Sequence, residues 1–451
     1  TTEIYTLSLH DALPISYISG YVARNGLYGC KTAEKPLERL YKKVPAGYSF
    51  QTVDCAAFSE APCAHRKIGF SAIADPAIIY EPLTLDVTGY CESKIPEAVR
   101  DFILRHGPAL ILAGGLYEQT LPLLGRLGFK KMYSYRAQKE RVAIEYLFGY
   151  RDGKPYLGVT NVFGIDRFYH MALEYANLYS RGGLSARLFE SYVPPDFGSL
   201  SGRLCAGALK DLSADGRAVA VIGYRGAFNN VVSDIQNYAR ETGAAYAEDF
   251  SLAAIDALAE ARPRQVIESA PRGSVYYPYW HFRMRSRRHS SVDFYFFRNL
   301  YGDQTFDAVS ELGARGFKRF ILFGNAGALS AKTCIGSVYA PVFTSDGRRF
   351  IALKNAACAD YPSGSILKAR SILEESYSWL KKAAGYDLVD VEFFEAARAL
   401  KNIGGAAVYA GALASDRPGS RDIVSKNEDA AGFIEAKRKF IFGALKYFLK
   451  N

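Results

Sequence analysis

The stretch FILFGNAGALS, residues 320–330, decides the fold of this chain. Its apolar residues run directly into a glycine-rich segment, a pattern typical of a buried strand that ends in a turn at the edge of a sheet. Residues 305–317 (TFDAVSELGARGF) predict a helix before it, and residues 335–347 (IGSVYAPVFTSDG) predict a second strand after it. The glycine turn could cradle a phosphate, bind a sugar or only reverse the chain.

The same alternation of strands and helices extends over most of the chain. Residues 95–107 and 168–183 predict helices, and residues 108–115 predict a buried strand. A hairpin should turn at Asp152-Gly153. Residues 217–243 read as strand, glycine turn and helix, residues 365–385 as a helix, and residues 406–416 as a strand ending on Asp416. This pattern predicts an α/β protein with a largely parallel sheet, and the sequence shows no convincing internal repeat.

Length and composition set the domain organisation. A chain of 451 residues with 49% hydrophobic content predicts two or three globular domains and no membrane-spanning helix, since no run of 18 apolar residues occurs. Residues 1–15 resemble a translated sequencing adaptor and are set aside, so His10 and Asp11 are not site candidates. The linker-like residues 192–202 divide a further α/β region, residues 16–200, from a second domain, residues 201–451.

Charge and cysteine usage restrict the partners. Without residues 1–15, which carry Glu3 and Asp11, the net charge rises from +10 to +12, which favours anionic partners or simply a basic surface. Seven cysteines without regular spacing predict a reducing compartment, the cytoplasm. Cys55, Cys63 and His65 lie close in sequence, but no CxxC pair accompanies them, so we expect no metal site.

Four motifs in fixed order resemble the nucleoside phosphorylase and nucleosidase superfamily. The first is the glycine segment and its neighbours, and the second is the strand that begins at residue 335. The third is Val389-Asp390-Val391-Glu392, and the fourth is Ser415-Asp416 at a strand end. The resemblance runs from about residue 305 to the C-terminus. It implies a three-layer α/β/α phosphorylase-like sandwich that cleaves the N-glycosidic bond of a purine-type nucleoside or nucleotide.

The resemblance also implies roles for individual residues. Asp416 would be the general acid at the leaving base, and Glu392 would bind the ribose hydroxyls, with Val391 where the family has methionine. The segment at residues 324–327 would approach the sugar or an anion through its backbone, and it comprises Gly324, Asn325, Ala326 and Gly327. The chemistry requires no metal and no organic cofactor. The expected partner is a small nucleoside or nucleotide, with phosphate as a candidate co-substrate and a homo-oligomer left open.

Each of these residues also has an ordinary structural interpretation. Asp416 before Arg-Pro-Gly is typical of a simple turn. Glu392 could be a first-turn acid that the helix dipole favours, and the glycines could be only a turn. Glu395 and Arg398 are expected to form a solvated i,i+3 pair outside the site.

One departure from the family bears on the reaction. Phosphorylases of the superfamily carry an arginine just before the first glycine, where this chain has Ile321, Leu322 and Phe323. Because a phosphate nucleophile needs a cation, water is the expected nucleophile.

Three alternatives stay open. A phosphorylase could hold phosphate on the arginine cluster Arg283, Arg285, Arg287 and Arg288. A binding or regulatory module could keep the nucleoside pocket without turnover. A nucleic-acid-binding protein would rest on charge and aromatic residues alone, and we do not expect it.

Overall fold

The computed structural model describes residues 48–79, 81–137, 144–181, 189–246, 249–261, 272–274, 276–288, 290–298, 300–419 and 431–451. They form two compact units. The described residues up to Leu200 make the first, except Leu83–Leu85, which belong with Ser201–Asn451 in the second. The adaptor-like residues 1–15 and the glycines at 182 and 183 lie outside the described residues.

The first unit is built on a seven-stranded sheet with the order β1-β4-β5-β6-β3-β7-β2. Its elements are β1 (Tyr48–Asp54), β2 (Arg66–Ile68), α1 (Val87–Lys94), α2 (Glu97–His106), β3 (Ala109–Gly114), α3 (Tyr117–Arg126), β4 (Lys131–Ala137), β5 (Glu145–Arg151), β6 (Lys154–Val162), α4 (Ile165–Arg181) and β7 (Phe189–Val193).

Local sequence signals account for much of this unit. The predicted helix at residues 95–107 is α2, and it ends on Gly107 at φ 52°. The hairpin β5–β6 turns where predicted, because Asp152 and Gly153 both take positive φ, 53° and 71°. The division between the two units falls between Leu200 and Ser201, within the linker-like residues 192–202, although part of that segment is helical. Residues 197–208 form a helix, α5 (Phe197–Ala208), and the side chain of its first residue, Phe197, is buried.

The second unit has a mixed sheet of ten strands. Its elements after α5 are β8 (Val219–Gly223), α6 (Arg225–Thr242), α7 (Leu252–Ala261), β9 (Arg272–Gly273), β10 (Pro278–Ser286), β11 (Ser290–Arg298), α8 (Asp303–Ala314), β12 (Arg319–Ala328), β13 (Val338–Ser345), β14 (Phe350–Ala352), β15 (Ser363–Lys368), α9 (Tyr377–Ala383), β16 (Leu388–Asp390), α10 (Phe393–Leu400), β17 (Ala407–Asp416) and α11 (Ala431–Lys450). The predicted α/β class is confirmed.

The sheet of the second unit is parallel at its centre and closes on itself at one side. Strand β8 is parallel to β11 and β12, and β12 is parallel to β17. Strands β12, β17, β13, β15 and β16 pair in a closed ring, in which β12–β16 and β13–β17 are antiparallel. The expectation of a largely parallel sheet therefore holds for the centre only.

Both faces of this sheet are buried, as a three-layer arrangement requires. On one face, Val221 and Phe323 belong to a core with side chains of α6 and α11, and Phe323 stacks on Phe440 of α11 at 4.6 Å. The alternate strand residues, such as Ile222 and Leu322, point to the opposite face and are buried as well. Strands with two apolar faces read as continuous hydrophobic runs, which is why the sequence showed them clearly.

The helix predicted over residues 365–385 is wrong in its first half. Residues 363–368 form β15, where Ile366 pairs with Thr344 of β13 and Leu388 of β16. The helix α9 begins only after Ser376, whose hydroxyl accepts a hydrogen bond from the Trp379 backbone N–H. Strand pairing on both edges overrides the helix-like pattern.

The two units share a topology that the sequence did not reveal. In the first unit the strand order β4-β5-β6-β3-β7 has two antiparallel pairs followed by two parallel pairs. In the second, β9-β10-β11-β8-β12 has the same order and the same directions. The sequence shows no convincing internal repeat, yet five strands of each unit share the same order and the same directions.

Candidate functional site

The glycine segment lies within a strand, which corrects the predicted turn. Strand β12 continues through Gly324 and Gly327 to Ala328, with a bulge after Ala326. Gly327 pairs with Asp416 on one side and with Val389 on the other. A Cβ on Gly327 would lie 2.9 Å from Val389 Cγ1, so glycine is needed there for close approach. Asn325 is half-buried between the buried Gly324 and Ala326.

Asp416 ends β17 at the same edge of the sheet. The residue is only 7% exposed. The Ser415 hydroxyl donates a hydrogen bond to Asp416 Oδ1 at 2.8 Å and so orients the carboxyl group. Because Gly327 is the register partner of Asp416, the strand end brings the predicted acid and the glycine segment together.

Glu392 directly precedes α10, two residues after the end of β16, and lies close to a second acid. Asp390 Oδ1 accepts hydrogen bonds from the backbone N–H groups of Glu392 and Phe393, each at 2.6 Å, and so caps the helix. Burial, the charge of Asp390 and a hydrogen bond between the two carboxyl groups raise the pKa of Glu392 well above its usual range. Val391, between them, is half-buried. The predicted ribose-binding segment therefore lies beside the glycine segment that pairs with Val389.

A buried ion-pair network supports the base of α10. Glu395 is 4% exposed and its Oε1 lies 2.6 Å from Lys368 Nζ. Its Oε2 lies 2.6 Å from Arg398, whose guanidinium stacks on Phe306 at 3.8 Å. The expectation of a solvated pair is wrong, because the i,i+3 spacing does not show that β15 places Lys368 over this face of the helix.

Glu375 is a site candidate that the sequence analysis missed. It lies between β15 and α9 and is 6% exposed. Burial and the charges of Asp416 and Glu374 raise the pKa of its carboxyl group well above the usual range. Nothing in ILEESY distinguishes this glutamate from its neighbour, because its burial depends on the fold and not on the local sequence.

The arginine cluster lies at the opposite edge of the sheet. Arg283 of β10 pairs in register with Asp293 of β11. The next residue of β11, Phe294, lies level with Arg319 at the start of β12, because both pair with Val219 of β8. At a rise of about 3.3 Å per residue, Arg283 is roughly 30 Å from the level of Gly327. Exposure alternates along β10, since Arg283 and Arg285 are exposed on either side of the buried Met284.

Other groups already occupy most of this cluster. Arg283 forms an ion pair with Asp293 at 2.8 Å, Arg287 one with Asp249 at 2.7 Å, and Arg288 donates to the carbonyl of Lys450. The interpretation that these arginines hold phosphate for the site around Gly327 is not supported by their position.

The remaining expectations concern metals and membranes. His65 Nε2 lies 2.9 Å from the Gly114 carbonyl oxygen and Cys55 is buried, and the described residues contain no group of three His, Cys, Asp or Glu side chains able to hold a metal ion. Within the same part of the chain, none of the helices has the length and apolar content of a membrane span.

Comparison with solved structures finds proteins that match about half of this chain over nearly their whole length. A 5′-methylthioadenosine/S-adenosyl homocysteine nucleosidase of Campylobacter jejuni is 11% identical, over 51% of this chain and 99% of that one, with a TM-score of 0.34. A futalosine hydrolase of Helicobacter pylori is 11% identical, over 52% and 98%, with a TM-score of 0.36. A uridine phosphorylase of Vibrio fischeri is 14% identical, over 54% and 94%, with a TM-score of 0.38.

No protein-family profile matches the sequence, and no curated protein matches it. At such low identity and TM-scores, activity and substrate have to be argued from the residues of this chain.

Proposed function

We propose that the second unit cleaves the N-glycosidic bond of a purine-type nucleoside or nucleotide, with water as the nucleophile. The observation that carries the proposal is the position of Gly327 between Val389 and Asp416. This pairing puts an acid, a ribose-binding candidate and a backbone without a Cβ at one edge of the sheet. Ligands of α/β sheets bind at the carboxyl ends of the strands, which is where these residues lie.

The proposed reaction gives Asp416 the proton-transfer step. As the C1′–N bond breaks, Asp416 donates a proton to the leaving base, and the sugar becomes positively charged at C1′. Glu392 and the charge of Asp390 behind it hold the ribose hydroxyls and oppose that positive charge. Water then bonds to C1′, and the proton it loses restores the one that Asp416 gave up.

Three observations favour hydrolysis over phosphorolysis. The window before the glycine segment is apolar core, since Ile321, Leu322 and Phe323 are all buried. The guanidinium of Arg417, next to Asp416, already donates hydrogen bonds at 2.8 Å to the carbonyl oxygens of Ser330 and Thr333, so these two N–H groups do not serve a phosphate. The arginine cluster lies at the far edge of the sheet, so a phosphate at the site would not reach it.

Release of free base from a panel of nucleosides tests the proposal. The full chain would be incubated with purine and pyrimidine nucleosides, methylthioadenosine and AMP, with and without phosphate, and free base followed by chromatography. Purine release at equal rates in both conditions is the expected result. Release only with phosphate would establish phosphorolysis instead. Saturable nucleoside binding without release would leave a binding module.

A further inference from the structure

Lys368 is a buried cation beside the candidate ribose-binding segment. It is the last residue of β15 and the register partner of Asp390 in β16. The Ala369 backbone N–H donates a hydrogen bond to the Asp390 carbonyl oxygen at 2.9 Å, and the Lys368 side chain is only 8% exposed. A buried ammonium group costs free energy unless nearby acids compensate its charge.

The acid that binds this ammonium group belongs to the first turn of α10. Lys368 Nζ donates a hydrogen bond to Glu395 Oε1 at 2.6 Å. Glu392 precedes Glu395 by three residues at the start of the same helix, and side chains at this spacing are neighbours on one face, about 5–6 Å apart. Lys368 therefore borders the helix face that carries the candidate ribose-binding acid.

Glu392 accepts hydrogen bonds best as a carboxylate. Its side chain is half-buried, so a ligand can reach it. An ionised carboxyl group is an acceptor only, whereas a protonated one uses one oxygen as a donor. Burial and the charge of Asp390 raise the pKa of Glu392, and the charge of Lys368 lowers it. The ammonium group thus favours the form that two ribose hydroxyls would need.

The other charged side chains around α10 are already paired or are acidic. Arg398 pairs with the second oxygen of Glu395 at 2.6 Å. Arg349, in the turn between β13 and β14, pairs with Asp346 at 2.6 Å. Asp307 of α8 is an acid, and burial raises the pKa of its carboxyl group. The ammonium group at the end of β15 therefore supplies positive charge that these groups do not.

We propose that Lys368 is a positioning residue for ribose recognition, which ties the first turn of α10 to β15 through Glu395 and supplies the positive charge that lets Glu392 accept hydrogen bonds from the ribose hydroxyls. This inference rests on the proposed function, because it assumes that Glu392 binds the sugar. It requires that Lys368 acts through Glu392 and not through the stability of the fold alone.

A double-mutant cycle in the full chain tests this requirement. Calorimetry would measure binding of free adenine and of a C-nucleoside analogue of adenosine, whose carbon–carbon glycosidic bond does not hydrolyse. Since a hydrogen bond to a charged acceptor is worth more than one to a neutral acceptor, Lys368→Met and Glu392→Gln should each weaken binding of the analogue by about 5- to 10-fold. Neither change should affect adenine. The double variant should bind the analogue within about twofold of Glu392→Gln, because the two residues act as one unit.

Two further variants separate the proposed role from a loss of stability. Lys368→Arg keeps the positive charge and should retain most of the affinity for the analogue. Arg438→Met is the matched control, because it breaks another buried ion pair of the second unit, between Arg438 of α11 and Asp234 of α6 at 3.1 Å. It should leave binding of the analogue unchanged.

The outcomes distinguish this inference from the proposed function. If Lys368→Met weakens binding by the same factor with and without Glu392, the inference is overturned. An affinity that Lys368→Met does not change, or a wild type that does not bind the analogue, overturns it as well. If the cycle gives the expected pattern but adenosine releases no base, the proposed function fails and the inference stands. Should Lys368→Met not fold, Lys368→Gln keeps a hydrogen-bond donor without the charge and should give the same cycle.

Discussion

Replacement of Gly327 by alanine would test whether close packing shapes the site. A Cβ at this position would lie 2.9 Å from Val389 Cγ1 and 3.0 Å from both Cγ and Cδ of Pro418. Val389 is only 3% exposed and lies in a paired strand, so it cannot easily move aside. Overpacking of this kind costs about 1–3 kcal/mol, of which the stiffer unfolded chain of the alanine variant offsets roughly 0.4–1 kcal/mol.

Gly324→Ala is the matched control, three residues earlier in the same strand. Its Cβ would lie 3.4 Å from Phe393 Cε2 and 3.7 Å from Asp390 Oδ2, which are tolerable contacts. We expect Gly327→Ala to lower the free energy of unfolding by about 1–2 kcal/mol and Gly324→Ala to change it by less than about 0.5 kcal/mol.

Urea unfolding of both variants and the wild type provides the measurement. A net loss of about 1–2 kcal/mol corresponds to a fall in Tm of roughly 2–8 °C for a unit of this size. Because Gly327 is the register partner of Asp416, base release by Gly327→Ala should fall as well. Equal stability of the two variants would refute the packing argument for this strand.

Three further predictions concern charged groups. Urea unfolding should show that Glu395→Gln lowers the free energy of unfolding by about 3–5 kcal/mol, because Lys368 would be left buried without its partner. Arg398→Gln should lower it by less. Glu375→Gln should raise Tm at pH 7.5 and lose that gain near pH 4. The pKa of the Glu375 carboxyl group is higher in the folded state than in the unfolded chain, where it is about 4.3. The wild type therefore loses stability as the pH rises above that value, whereas the glutamine variant does not, because glutamine does not titrate. Arg285→Ala should leave the rate of base release unchanged with or without phosphate. A slower release in the presence of phosphate only would show that the arginine cluster binds the anion after all.

The sequence predicts those elements whose cause is local. The alternation of apolar strands with helices identifies the α/β class, β12 and β17, since buried parallel strands are continuous hydrophobic runs. The hairpin at Asp152-Gly153 follows from two residues that tolerate positive φ. The motif order also places Asp416 and Glu392 at a strand end and a helix start, where the structure has them.

The remainder depends on contacts between residues far apart in the chain. The glycine segment looks like a turn because glycine favours turns, but pairing with β16 and β17 makes it a strand. Glu395 looks exposed until β15 places Lys368 against it. Glu375 is buried and Glu374 half-buried, a difference that the fold determines and the local sequence does not show. The repeated strand order of the two units has no counterpart in the sequence, because many sequences satisfy one topology.

The most direct test of the account is base release by Asp416→Asn. The full wild-type chain and the variant would be compared with adenosine in phosphate-free buffer, with circular dichroism to confirm that both are folded. We predict that the wild type releases adenine without phosphate and that the variant is slower by about 10²–10⁴-fold, because an amide cannot supply the proton. Equal rates in the two proteins would remove Asp416 from the acid role, and no release by a folded wild type, across the whole panel of nucleosides, would contradict the account.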